Sequence, residues 1–171
     1  MKRNIVIILT VIVLIVSVWL AFKNISHDGA FTKWSHSTAG IEHFENGKAF
    51  YLGYYFRWEG IGSPTLEKIE FIKNDGEIVA KEDDEFQINS FIKTDGFGAV
   101  DEEYVISEGI NDELLPVKGF NVDQDFHLVL RVKLKDVDVS NDIKMIRITY
   151  KKFGVTQFQN ISFDDGIIKD K

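Results

Sequence analysis

Hydrophobic and polar positions divide this chain into two stretches with different periods. From Ile5 to Phe22 it reads IVIILTVIVLIVSVWLAF, apolar around the whole circumference of a helix. Only Thr10 and Ser17 interrupt it, and their hydroxyls can bond back to helix carbonyls, so they are tolerated in lipid. Eighteen residues rising about 1.5 Å each reach roughly 27 Å, close to the thickness of a bilayer's hydrocarbon core. A helix with no polar face has no place on the surface of a soluble domain, so the segment is expected to span a membrane. The competing reading, a cleaved signal peptide, asks for a shorter apolar stretch and small residues at a cleavage site. Here the run ends in Trp19, Leu20, Ala21, Phe22 and Lys23, without that spacing.

Beyond the apolar run, residues 23–40 are polar, with scattered Ser, His, Gly and Thr, and read as a stalk. From 41 to 171 the period becomes two. Phe50, Leu52, Tyr54, Phe56 and Trp58 alternate with Tyr51, Gly53, Tyr55 and Arg57, and Phe126, Leu128, Leu130, Val132 and Leu134 alternate with more polar neighbours. Further β-branched and aromatic runs cover Leu66 to Ile72, Glu77 to Ala80, Phe86 to Ile92, Tyr104 to Ile106, Ile143 to Tyr150 and Val155 to Phe163. Turn signals separate them at Asn46-Gly47, Asn74-Asp75-Gly76, Asp95-Gly96 and Lys152-Phe153-Gly154. No long apolar stripe of helical period occurs after residue 40, and Ile110 to Leu115 is the expected single helical turn.

This pattern predicts an all-β domain of antiparallel strands folded as a sandwich, preceded by one transmembrane helix. The runs GYYFRWEG, LEKIEFIKNDG and IRITYKKFG resemble the strand pairs of immunoglobulin-like β-sandwich modules found in exported, membrane-anchored bacterial proteins. That resemblance implies a fold and leaves function open. The domain division is therefore 1–4 as a cytoplasmic N-terminus, 5–22 as a signal anchor, 23–40 as stalk and 41–171 as ectodomain.

Charge adds a direction. Lys2 and Arg3 precede the apolar run and every acid follows it, so the remainder carries 18 basic residues against 27 acidic, a net charge of −9. The basic residues ahead of the helix favour an inside N-terminus, which puts the β-domain outside the cytoplasm at the cell membrane. An acidic domain repels polyanions, which argues against nucleic acid as a partner. The absence of cysteine removes disulfides, thiol catalysis and thiolate metal sites together.

Candidate chemistry is sparse. His27, His36 and His43 fall near the helix at spacings that match no metal motif, and His127 lies far away. Asn121, Asp123 and Asp125 alternate as a calcium loop begins, and are the candidate metal ligands. Phe126 stands where such a loop has Gly and Val132 where it has the closing Glu. No serine-hydrolase elbow and no phosphate-binding glycine loop occurs, and no cofactor is expected. Tyr51, Tyr55 and Arg57 fall on the outer face of an aromatic strand, and exposed tyrosine with arginine is the composition favoured at recognition surfaces. The expectation is a binding or assembly module for another envelope component. The alternative is an envelope hydrolase or metal-dependent enzyme whose acids converge in a pocket.

Overall fold

The computed structural model describes residues 2–35, 37–80, 83–135, 141–163 and 166–169. Its first element, α1 (Lys2–His27), is the apolar helix extended by an N-terminal and a C-terminal polar turn. By length and composition it meets the requirement for a membrane span, which a signal sequence near an N-terminus meets equally. The rest is built mostly of antiparallel β-sheet.

Two sheets carry the domain. The larger contains β1 (Ala30–Lys33), β3 (Ala49–Glu59), β5 (Phe86–Lys93), β6 (Ala99–Asp101), β7 (Leu115–Pro116) and β8 (Phe126–Leu134). Its order is β1-β3-β8-β5-β7, and β6 shares the outer edge of β3 with β1. The smaller places β9 (Ile143–Lys152) between β4 (Thr65–Lys73) and β10 (Val155–Ser162). A short parallel pair joins β2 (Ala39–Gly40) to β11 (Ile168–Lys169).

The two sheets enclose one core. Leu52, Tyr54 and Phe56 from β3, Leu128 and Leu130 from β8 and Ile92 from β5 meet Leu66 and Phe71 from β4 and Ile146, Ile148 and Tyr150 from β9 in a single buried cluster. These are the inward positions of the period-two runs, so the alternation in sequence is the alternation in space. Burying an aliphatic or aromatic side chain contributes about 1.5–3 kcal/mol, and the apolar face of each strand supplies several.

The structure departs from the sequence pattern at three places. Residues 30–33, in the segment expected to be a stalk, form β1, paired with Phe56 to Glu59, and its Phe31 is buried against Trp58, Phe126 and Tyr150. One apolar residue among polar ones gives no periodicity to read, yet it suffices to dock the strand. Residues 104–106, expected as a strand, lie in the helix α2 (Glu102–Ser107). Asp101 caps it by accepting from the Tyr104 N–H at 2.7 Å, Glu102 and Glu103 favour its positive end, and Gly109 stops it at φ 69°. These end signals outweigh the β-branched Val105-Ile106. Finally, 77–80 turns back at Asn74-Asp75-Gly76 as expected but pairs only through one bridge, Ile72 to Ile78, and then leaves the sheet.

A second, smaller cluster lies on the outer face of the larger sheet. The segment from Phe97 to Leu114, containing β6, α2 and the turn Ile110–Glu113, folds over Tyr51 and Val129 and buries Val105 between them.

Candidate functional site

The outer face of β3 presents Tyr51, Gly53, Tyr55 and Arg57 in succession, as the alternation requires. Tyr51 is nonetheless buried, 3% exposed, because the 97–114 segment covers it, and its hydroxyl bonds Asn111 at 3.3 Å. Burial raises its pKa. The expected tyrosine pair is thus split: Tyr51 packs under the cover, and Tyr55 lies beyond it.

Tyr55 and Arg57 converge on Asp125, which the strand register explains. Phe56 stands opposite Phe126, so the residue before Phe126 falls beside Arg57. Arg57 donates through Nε at 3.1 Å and Nη2 at 2.8 Å, and the Tyr55 hydroxyl donates to the same carboxylate. These bonds hold the Asp125 pKa below its usual value and raise that of Arg57. Trp34 completes the group. Its N–H donates to the Tyr55 carbonyl at 2.9 Å, fixing the chain alongside β3, and the Arg57 guanidinium sits 4.7 Å from its ring centroid. Trp34 is 58% exposed.

The polar row continues across the sheet. The His127 ring lies 5.1 Å from that of Tyr55, with its pKa lowered by burial and by nearby Lys93. Lys93 in turn bonds Glu113 at 2.5 Å. Beside Asp125, a pocket of about 340 Å³ is walled by Trp58, Gly62, Asp123 and Asp125.

The three candidate metal ligands lie on one loop without forming a cage. Asn121 bridges to Thr65 through its backbone, Asp123 lines the pocket, and both Asp125 oxygens accept from Arg57. Among the described residues no three His, Asp or Glu side chains converge as a metal site would require. His27 bonds back to the Lys23 carbonyl and His43 lies against Phe50, while His36 is outside the described residues.

Other acids have structural partners. Asp83 and Glu85 hold Lys73 at 2.9 and 2.7 Å. Burial presses the Lys73 ammonium toward neutrality, but these two carboxylates outweigh it and its pKa rises. Glu102 pairs with Arg131 at 2.6 Å and Glu103 with Lys48 at 2.7 Å. Asp142, 6% exposed, accepts from the N–H groups of Ile143, Ile167 and Ile168, and so ties the C-terminal segment to β9.

The arrangement can offer a rigid aromatic and guanidinium surface; among the described residues around it no nucleophile and base meet an oxyanion donor. Sequence reasoning missed Trp34, which sits in the presumed stalk, and missed the role of Asp125. A register assigned from the two aromatic strands would have found the second. Comparisons with protein-family profiles, with curated proteins and with solved structures find no match to this chain.

Proposed function

We propose that this chain is a single-pass envelope protein in which α1 is the anchor, the N-terminus is cytoplasmic and an immunoglobulin-like β-sandwich is displayed outside. Its function is to bind another envelope component through Trp34, Arg57, Tyr55 and Asp125. The observation that carries the reading is the exposed Trp34 ring resting on a guanidinium that Asp125 and Tyr55 hold in place. Tryptophan, tyrosine and arginine dominate binding hot spots, and the two aromatic residues bury much area with few torsions to freeze. An arginine already fixed by a carboxylate loses less entropy on binding than a free one.

Orientation is supported by Lys2 and Arg3 ahead of the apolar run, since short positively charged ends stay inside. The test is a photo-crosslinking amino acid in place of Trp34, in cells carrying the full chain. A discrete adduct with one membrane-associated protein is expected, lost when Arg57→Ala is added and absent when the crosslinker replaces Phe158, an exposed ring on the other sheet. No adduct, or equal adducts from both positions, contradicts the reading.

A further inference from the structure

The end of the β-domain nearest α1 is built as a rigid collar with an apolar rim. Ser26 is fully buried and its carbonyl accepts from Gln157 Nε2 at 2.7 Å. The Asp28 carbonyl accepts from the buried Lys152, and the Asp28 carboxylate accepts from the Ile61 N–H at 3.0 Å. Gly29 and Gly60 abut so closely that a Cβ on Gly29 would lie 2.8 Å from the Gly60 Cα. The helix therefore enters the sheets through a fixed joint, with no flexible linker in between.

Two large apolar side chains stand on this joint and are exposed. Ile61, in the β3–β4 loop, is 59% exposed, and Phe153, in the β9–β10 hairpin, is 49% exposed. They belong to one unit. The Trp58 indole donates to the Gly62 carbonyl at 2.8 Å, and the Phe153 ring lies over Gly62, where a Cβ would meet it at 2.6 Å.

Phe153 also breaks a local rule. It occupies the first position of a two-residue hairpin loop at φ 49°, the only non-glycine with positive φ among the described residues. That position favours Asn or Asp, and a bulky side chain there is disfavoured. A strained, exposed ring kept where a small polar residue would fold better points to a use outside the fold.

We infer that Ile61 and Phe153 insert into the lipid headgroup layer around α1, seating the domain on the bilayer in a fixed orientation. The inference rests on the reading of α1 as a membrane span. Five residues separate Phe22 from Asp28, which puts the joint roughly 9 Å beyond the end of the apolar run. The headgroup layer is about 5–8 Å deep on each side, so the joint stands just at its outer edge, within a side chain's length of it. Apolar side chains at that level gain from leaving water, as those of interfacial helices do. A domain seated in this way presents Trp34 and the β1–β3 edge at a set height above the membrane, which suits a partner that is itself membrane-bound.

The chain has no cysteine, so single cysteines carry a nitroxide label without background. Full-length chain is labelled at Ile61→Cys, Phe153→Cys, Val13→Cys and Ile106→Cys and placed in phosphatidylcholine nanodiscs. Ile106 is equally exposed but lies on α2, at the opposite end of β3. Collision rates with oxygen and with a water-soluble nickel chelate then report depth. The oxygen-to-nickel ratio at positions 61 and 153 is expected several-fold above that at 106 and below that at 13. Water-like ratios at both 61 and 153 with a lipid-like ratio at 13 overturn the inference and leave the anchor standing. A water-like ratio at 13 overturns both.

Discussion

Both faces of β3 carry aromatic rings, and those rings have different fates. Inward, Phe50, Leu52, Tyr54 and Phe56 are all buried because a whole second sheet lies opposite. Outward, Tyr51 is as buried as its inward neighbours, while Tyr55 and Arg57 line an open polar row beside an exposed Trp34. Alternation decides on which side of a sheet a residue falls, and it carries no information on whether that side is covered. The cover over Tyr51 comes from residues 97–114, an excursion held by its own caps and a few apolar contacts. It stops at Gly53, where the Phe97 carbonyl rests on the strand so closely that a Cβ would meet it at 2.5 Å.

The comparison can be broken in a graded way. The inward face is expected to respond most: Leu130→Ala, fully buried between the sheets, costs about 2–5 kcal/mol by chemical denaturation of the domain. Gly53→Ala, at the boundary of the cover, pushes the Phe97 loop away and costs about 1–3 kcal/mol; hydrogen exchange in residues 97–114 is expected to quicken while the inner core stays protected. An unchanged exchange pattern there removes the boundary role of Gly53.

The open half is expected to show a pH response through His127. Burial and Lys93 lower its pKa below 6.5, so on acidification the unfolded chain takes up a proton before the folded one does. Its effect is absent above 6.5 and destabilises as the pH falls below it, and the melting temperature should fall less steeply there in His127→Gln. The acids with lowered pKa, Asp83 and Asp125, lose their contribution in a separate window at and below 3.8. The smallest effect on stability belongs to Arg57→Ala. Its ion pair with Asp125 is half-exposed and open to solvent screening, so the melting temperature should move little although the crosslink from position 34 is lost.

Much of the inner architecture was legible. The apolar run, the strong strands β3, β8 and β9, and the turns marked by Gly76 and Gly154 all follow from period and turn chemistry. What escaped is what depends on partners distant in sequence. Phe31 looked like an isolated apolar residue until β3 lay beside it, and Trp34 looked like part of a stalk for the same reason. Val105 and Ile106 suggested a strand, although Asp101 and Gly109 already marked the ends of a helix. Of the candidate site, Tyr55 and Arg57 were legible from alternation. Their union with Asp125 needed the β3–β8 register, and Tyr51 was lost to a cover that no local pattern announces.

The most direct test of a displayed, half-covered face is labelling with a membrane-impermeant maleimide in intact cells, with single cysteines at Trp34→Cys and Val105→Cys. The expected result is prompt labelling at 34 from outside the cell and protection at 105 until the domain is unfolded. Position 34 remaining unlabelled until the cells are lysed would contradict the account.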